Sequence, residues 1–277
     1  MGLVRMQSCQ KFVLIASPRT GSQALNRHLN QYDGMVMHGE IFNPAFVGLR
    51  HDYHDKMNLP REDVEARDAD PEQFITRIFD DPAARFVGFH IFPEQTRPAV
   101  LPVLEDESVK KLWLVRNPVA SFVSLLEAEA SGIWTVHASE PLPSGNHRKK
   151  VHFDIGRFNS YLNELNLFRA KIKSVLFETA QPYFPIHYGD IADPLVGNAI
   201  IAYLGGSQRL DRFRDRDPEA AVAPLCRAHR ELLGIHRLFQ GHFHGSFLRA
   251  RVTSALGRWG GRAAAAACVE NSPASNP

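Results

Sequence analysis

The residues from Ser17 to Ser22 bring together the side chains best suited to chemistry near the start of this sequence. Their order is Ser-Pro-Arg-Thr-Gly-Ser. Arg19 supplies a permanent positive charge, and Thr20 and Ser22 supply hydroxyl groups. Gly21 has no side chain and lets the backbone approach a ligand closely. This combination is suited to holding a phosphate or a sulfate.

A predicted strand and a predicted helix flank this loop. The run from Phe12 to Ile15 is apolar and rich in β-formers, and Leu25 and Leu29 follow at helical spacing. In a strand–loop–helix unit the N–H groups of the first helical turn attract anions, helped by the helix dipole. The loop lacks the first Gly and the Lys of a Walker A motif. An ordinary turn with a Ser cap on the helix is the alternative interpretation.

A second strand end carries another cation. The apolar run from Lys111 to Val115 ends in Arg116, and Asn117-Pro118 opens a helical pattern that contains Ser124. Open α/β sheets bind ligands at the carboxyl ends of their strands. We therefore expect Arg116 and Ser124 to hold a second phosphate, the alternative being an arginine that only caps the strand.

Two further residues are candidates for proton transfer or donor contact. Glu40 follows Gly39 and precedes Ile41 and Phe42, which makes it a candidate general base. A surface glutamate beside a core phenylalanine is the alternative. His90 lies in the apolar strand predicted over residues 85–92, where a hydrogen-bonded core histidine is the competing interpretation.

Composition is compatible with one large α/β domain or with two. The chain has 277 residues, of which 44% are hydrophobic, and a net charge of +2 that gives no reason to expect nucleic-acid binding. Three scattered cysteines indicate a reducing compartment, so we expect a cytoplasmic protein. No apolar run reaches the length of a membrane span, although the basic, partly apolar tail leaves a weak contact with a membrane surface open.

The rest of the chain divides by composition. We predict one domain over residues 1–260, with a core at 11–205, a helical C-terminal part at 206–260 and a disordered tail at 261–277. Residues 136–150 are loop-like and basic, which is typical of a lid. The His-rich stretch from His51 to Asp55 is predicted to be a solvated loop rather than a metal site, because no matching cluster lies nearby.

The ordered elements resemble those of the sulfotransferases that use 3′-phosphoadenosine 5′-phosphosulfate (PAPS). Residues 17–23 match the loop that binds the 5′-phosphosulfate in that family, and Arg116 and Ser124 match the element that binds the 3′-phosphate. Residues 38–42 look like the segment that carries a proposed catalytic Glu in the bacterial carbohydrate branch, here Glu40. The donor-binding residues that this resemblance implies are Ser17, Pro18, Arg19, Thr20, Gly21, Ser22, Gln23, Arg116 and Ser124.

The resemblance also assigns residues to the acceptor and to catalysis. The expected acceptor contacts are His38, Phe42 and Trp134. Relatives often carry Lys where this chain has His90, so we expect a donor contact there that depends on pH. The catalytic His of the eukaryotic cytosolic branch falls on Phe92, which favours Glu40 as the base. Arg19 is expected to stabilise charge on the departing phosphate.

The implied fold is a single P-loop-like α/β domain with a central parallel sheet flanked by helices. The implied function is transfer of a sulfuryl group from PAPS to an acceptor hydroxyl, on a carbohydrate or a glycolipid, without a metal. Two alternatives stay open: a P-loop enzyme similar to a nucleotide kinase, and a non-catalytic protein that binds PAPS or a nucleotide.

Overall fold

A computed structural model describes residues 9–95, 98–134 and 150–214. Five strands form one parallel sheet in the order β2-β3-β1-β4-β5. The strands are β1 (Gln10–Ile15), β2 (Met35–Met37), β3 (Phe86–Ile91), β4 (Lys110–Val115) and β5 (Tyr183–His187). The α-helices are α1 (Ser22–Leu29), α2 (His51–Met57), α3 (Val64–Ala69), α4 (Pro71–Phe79), α5 (Leu101–Glu105), α6 (Pro118–Ser131), α7 (Ile155–Glu178) and α8 (Pro194–Tyr203).

The central strand β1 divides the core into two layers. Its side chains alternate between the faces of the sheet, as they do in any strand. Val13 and Ile15 belong to the core layer that contains side chains of α4 and α7. Phe12 and Leu14 belong to the layer that contains side chains of α1 and α8. Both faces of β1 are therefore buried, which explains why its sequence is a continuous apolar run.

Parallel pairing brings the carboxyl ends of the strands to one edge of the sheet. In register, Ile15 of β1 lies opposite Ile91 of β3 and Trp113 of β4. The loop after β1 and the strand end before α6 therefore start side by side. This is the arrangement expected for a ligand site in an open α/β sheet.

Asparagine and aspartate side chains start most of the longer helices. The side chain of Asn117 accepts hydrogen bonds from the N–H groups of Val119 and Ala120 at the start of α6. Asp70, Asp154 and Asp193 cap α4, α7 and α8 in the same way. Such caps satisfy N–H groups that have no partner inside the helix.

The predicted α/β fold with its parallel sheet is confirmed, and each predicted strand is present. The prediction of a solvated loop at His51 to Asp55 was wrong. These residues belong to helix α2, in which Tyr53 is buried. Residues 136–149 of the predicted lid and the predicted tail lie outside the described residues, and the domain boundaries stay a prediction.

No helix in the described parts of the chain is long and apolar enough to cross a membrane. Nor do these parts contain three or more His, Cys, Asp or Glu residues grouped so that they could hold a metal ion.

Candidate active site

The loop between β1 and α1 has an unusual backbone. Arg19 has φ 63° and Gly21 has φ 88°, so both lie in the left-handed region that favours glycine. A Cβ atom on Gly21 would come within 2.8 Å of Tyr188 and of Ile191. Position 21 is therefore restricted to glycine twice, by its backbone angle and by the lack of space.

The N-terminus of α1 differs from those of the capped helices. Gly21 is its N-cap residue, and no side chain of the described residues caps it with a hydrogen bond. The hydroxyl of Thr20 donates instead to the carbonyl oxygen of Ser17 at 2.6 Å, which closes the loop on itself. The N–H groups of the first turn of α1 are thus not engaged by a capping side chain. Such a helix start suits an anion.

The two predicted phosphate-binding elements contact each other. Arg19 donates through Nε to Oγ of Ser124 at 3.2 Å, although 105 residues separate them. Arg116 donates through Nη1 to the carbonyl oxygen of Arg19 at 2.8 Å. The structure therefore brings together Arg19, Arg116 and Ser124 on neighbouring elements, as their places in the sequence predict.

Two partly buried guanidinium groups lie at this junction. Burial, followed by the charge of Arg116, lowers the pKa of Arg19 below its usual value. Burial also lowers the pKa of Arg116. Among the described residues, no carboxylate forms an ion pair with either group. Two such cations near an uncapped helix start favour binding of a multiply charged anion.

Tyr188 forms one wall of this junction. The guanidinium of Arg116 lies over its ring, 3.9 Å from the centroid. The same ring limits the space beside Gly21. This cation–π contact orients Arg116 from a residue at the carboxyl end of β5.

Glu40 lies in a turn directly after β2. Its Oε2 accepts two hydrogen bonds, from Nδ2 of Asn43 at 2.7 Å and from Nε2 of Gln95 at 3.0 Å. The two amide donors hold this carboxylate in place, as a side chain that serves as a general base requires. Neither partner was found from the sequence, because amide side chains give no pattern by themselves.

Short backbone hydrogen bonds fix the segment that carries Glu40. The N–H of Gly39 donates to the carbonyl oxygen of Gly48 at 2.8 Å, and the N–H of Gly48 donates to the carbonyl oxygen of Glu40 at 3.1 Å. A Cβ atom on Gly48 would lie 2.5 Å from that same Glu40 oxygen. Residues 39 and 48 therefore pack backbone against backbone.

The Glu40 segment lies beside the start of α1. A Cβ atom placed on Gly39 would be 3.8 Å from Nε2 of Gln23, in the first turn of that helix. Asn26 of α1 donates to the carbonyl oxygen of His38 at 3.0 Å. Gly39, which precedes the candidate base, therefore lies close to the predicted donor loop. Gln23 and Pro18 of this loop are partly exposed.

His38 and Phe42 are buried, with 0% and 2% of their surface exposed. Nδ1 of His38 accepts a hydrogen bond from the N–H of Arg50 at 3.1 Å, and burial lowers the pKa of His38 to about 3. Phe42 packs against Phe74. Neither side chain offers a surface to an acceptor in this structure, so their predicted contact with substrate stays a prediction that the geometry does not favour.

His90 is 1% exposed and stacks on Phe92, with ring centroids 5.7 Å apart. Neither ring nitrogen has a hydrogen-bond partner among the described residues. Burial lowers the pKa of His90 to about 3, so the ring is neutral near pH 7. The expected pH-dependent cation is therefore not formed in the physiological range.

Trp134 is the predicted acceptor contact that lies at the surface. Trp134 is 53% exposed. Its carbonyl oxygen accepts a hydrogen bond from Nη1 of Arg19. An exposed indole next to a predicted donor site offers an apolar face for a ring-shaped substrate. Trp134 and Arg19 thus connect the predicted acceptor and donor sides.

Comparison with known proteins adds a relative of similar length. No family model matches the sequence. The chain is 24% identical over 259 residues to Nodulation protein H of Rhizobium tropici, covering 90% of this chain and 97% of the relative. The solved structure of the Sulfotransferase Domain from the Synechococcus PCC 7002 Olefin Synthase is 16% identical, covers 77% of this chain and 83% of its own, and superposes with a TM-score of 0.33.

The similarity to Nodulation protein H extends along nearly the whole of both chains. The superposition with the solved domain is too weak to add to the argument. Together with motifs that resemble those of sulfotransferases, the similarity to Nodulation protein H supports a sulfotransferase family for this chain.

Proposed function

We propose that this protein transfers a sulfuryl group from PAPS to a hydroxyl group of a carbohydrate or glycolipid. The observation that carries the donor assignment is the contact between the two anion-binding elements. Arg116 bonds to the backbone of Arg19, and Arg19 bonds to Ser124. A donor with phosphates at both its 5′ and 3′ positions needs two such elements at a fixed spacing.

The residues present fit this donor. The uncapped start of α1 and Arg19 suit the 5′-phosphosulfate, and Arg116 with Ser124 suits the 3′-phosphate. The donor supplies the activated sulfuryl group when bound. The protein contributes charge that stabilises the departing phosphate and a rigid loop that keeps the reacting groups in register.

The proposed transfer forms one bond between the acceptor oxygen and sulfur and breaks one between sulfur and the phosphate oxygen. The products are the sulfated acceptor and adenosine 3′,5′-bisphosphate. Glu40 accepts the proton that leaves the acceptor hydroxyl. Asn43 and Gln95 hold one oxygen of Glu40 in place while the other takes this proton.

Two observations support a carbohydrate acceptor. Trp134 is exposed, and its carbonyl oxygen accepts a hydrogen bond from Arg19. The apolar face of its ring is suited to packing against a sugar ring. The segment over residues 38–42 resembles that of the bacterial carbohydrate branch of the family.

The test is transfer from labelled PAPS to mixed panels of glycans, glycolipids and phenols, with and without Mg²⁺. We expect label on glycans or glycolipids and no requirement for Mg²⁺. Label on phenols alone would contradict the acceptor class. Binding of PAPS without transfer to any panel would favour the non-catalytic alternative, and Mg²⁺-dependent phosphoryl transfer from ATP would favour the kinase-like one.

A further inference from the structure

The amide of Asn43 has a single possible orientation. Its Oδ1 accepts a hydrogen bond from the N–H of Ala45 at 2.9 Å, so its Nδ2 must face the other way. That Nδ2 donates to Oε2 of Glu40 at 2.7 Å. The turn itself is closed by a bond from the N–H of Asn43 to the carbonyl oxygen of Glu40 at 3.1 Å. Asn43 therefore fixes both the backbone and the carboxylate of Glu40.

Gln95 holds the same carboxylate oxygen from another element. It lies in the short 3₁₀ turn after β3, is 1% exposed, and donates to Oε2 of Glu40 at 3.0 Å. Both donors contact Oε2, and no described residue forms a hydrogen bond with the other oxygen, Oε1, so Oε1 is the oxygen left to accept a proton. Two donors in fixed positions restrict the rotation of the carboxylate.

Arg67 of α3 forms hydrogen bonds with the backbone of the turn that follows Glu40. It is 1% exposed, and its Nη1 donates to the carbonyl oxygens of Ile41 at 3.2 Å, Asn43 at 2.7 Å and Phe46 at 3.2 Å. Its charge is paired with Asp68 through Nε at 2.7 Å and Nη2 at 3.0 Å. A buried charge is costly unless it is paired and hydrogen-bonded, and Arg67 meets both conditions.

We propose that Arg67 and Asn43 are positioning residues for Glu40. Arg67 holds the turn over residues 41–46, and Asn43 transmits that position to Oε2 of Glu40, which leaves Oε1 directed to accept the proton of the acceptor hydroxyl. This inference rests on the proposed function of Glu40 as the base. A guanidinium is required because only its forked geometry reaches three carbonyl oxygens while still pairing with Asp68.

The experiment measures kcat, KM for the acceptor and the dissociation constant for adenosine 3′,5′-bisphosphate in three variants. Asn43→Ala removes one donor from Glu40. Asn43→Asp places a second carboxylate beside it. Arg67→Lys keeps the charge but loses the fork. Arg61→Lys is the matched control, because Arg61 is an exposed arginine that stacks on Phe46 of the same turn.

We expect Asn43→Ala and Arg67→Lys to lower kcat by about 10- to 100-fold, as misplacement of a reacting group does, with the bisphosphate affinity unchanged. In a Glu40→Gln background the same changes are expected to alter the remaining rate by less than about twofold, because their route to the chemistry is gone. Asn43→Asp is expected to move the acidic limb of the kcat profile to higher pH. Arg61→Lys is expected to behave as wild type.

A loss that persists in the Glu40→Gln background, or that comes with weaker bisphosphate binding, would overturn the proposal and assign Arg67 and Asn43 a general structural role. If Arg67→Lys does not fold, the two Asn43 variants decide, since Asn43 is only partly buried. Failure of the proposed function is distinguishable, because wild-type protein would then transfer no sulfuryl group at all, which also removes the basis of this inference.

Discussion

The guanidinium of Arg116 donates a hydrogen bond to the backbone carbonyl of Arg19 over 2.8 Å. The carboxyl end of β4 is thereby connected to the loop that follows β1. A ligand that binds one element is therefore positioned relative to the other, and the predictions on the donor follow from this connection.

The first prediction concerns donor identity. We expect adenosine 3′,5′-bisphosphate to bind more tightly than ATP, and to bind without Mg²⁺. The reason is that two cationic elements are present, whereas the loop lacks the lysine that serves nucleoside triphosphates. Calorimetry with both ligands, with and without Mg²⁺, measures this. Tighter binding of ATP that depends on Mg²⁺ would contradict it.

The second prediction concerns Arg116 and Ser124. Arg116→Ala is expected to weaken the bisphosphate more than adenosine 5′-phosphate, because only the former carries a 3′-phosphate. A charged contact of this kind contributes roughly 1.5–3 kcal/mol, so we expect a difference of about tenfold or more. Arg116 also bonds to the Arg19 carbonyl. We therefore expect, in addition, a smaller loss of affinity that both ligands share.

Ser124→Ala serves as the weaker companion of that variant. It removes the acceptor of the Arg19 Nε bond and leaves both guanidinium groups in place. We expect this variant to weaken the bisphosphate more than adenosine 5′-phosphate, but by less than Arg116→Ala does. Titration of the protein with the two ligands measures this. Equal losses for both ligands in Arg116→Ala would place Arg116 away from the 3′-phosphate.

The third prediction separates Glu40 from His90. Glu40→Gln keeps an oxygen that can accept from Asn43 and Gln95 but removes the basic group. We expect turnover to fall by roughly 10²–10⁴-fold, the usual size of a general-base contribution, with donor affinity nearly unchanged. Because the His90 ring is enclosed and neutral, His90→Asn is expected to lower stability and to leave donor affinity and turnover nearly unchanged. The base assignment fails if His90→Asn abolishes turnover at full donor affinity while Glu40→Gln stays active.

The fourth prediction concerns stability in acid. Burial lowers the pKa of His38 and of His90 to about 3, well below the value of about 6.5 in an unfolded chain. Below pH 6.5 the unfolded chain therefore binds protons that the folded chain does not. Stability falls as the pH drops from about 6.5 towards about 3, approaching roughly 1.4 kcal/mol per pH unit for each histidine.

Denaturant unfolding at several pH values between 7 and 5 measures this slope. His90→Phe replaces a ring that already stacks on Phe92, so we expect it to reduce the slope by the share of one histidine. His38 keeps its own share in that variant. An unchanged slope would show that His90 takes up a proton in the folded protein within this range.

That Arg19 and Arg116 lie at the same edge of the sheet was predictable, because each of them follows a strand of a predicted parallel sheet. In a parallel sheet the residues just past each strand lie at one edge, so the segments after β1 and β4, which pair with each other, start side by side. The continuous apolar runs likewise indicate which strands are buried on both faces.

The partners of Glu40 were not predictable from the sequence. Gln95 lies 55 residues away, and its bond to Glu40 depends on where one short turn ends after β3. Arg67 occurs among many charged residues of a segment that is typical of solvent-exposed helices, yet it is buried against the Glu40 turn. For His90 the resemblance implied a donor contact, whereas the folded ring is enclosed and neutral.

The close approach of Gly48 to Glu40 has a consequence for protein engineering. The Gly48 backbone contacts the Glu40 backbone and leaves no room for a Cβ atom. Residues 39–48, here called the cassette, should therefore be exchanged only as one piece. Chimaeras that exchange acceptor preference between related enzymes should therefore place their crossover points outside this cassette. A junction inside it would combine two halves whose backbones were never fitted to each other.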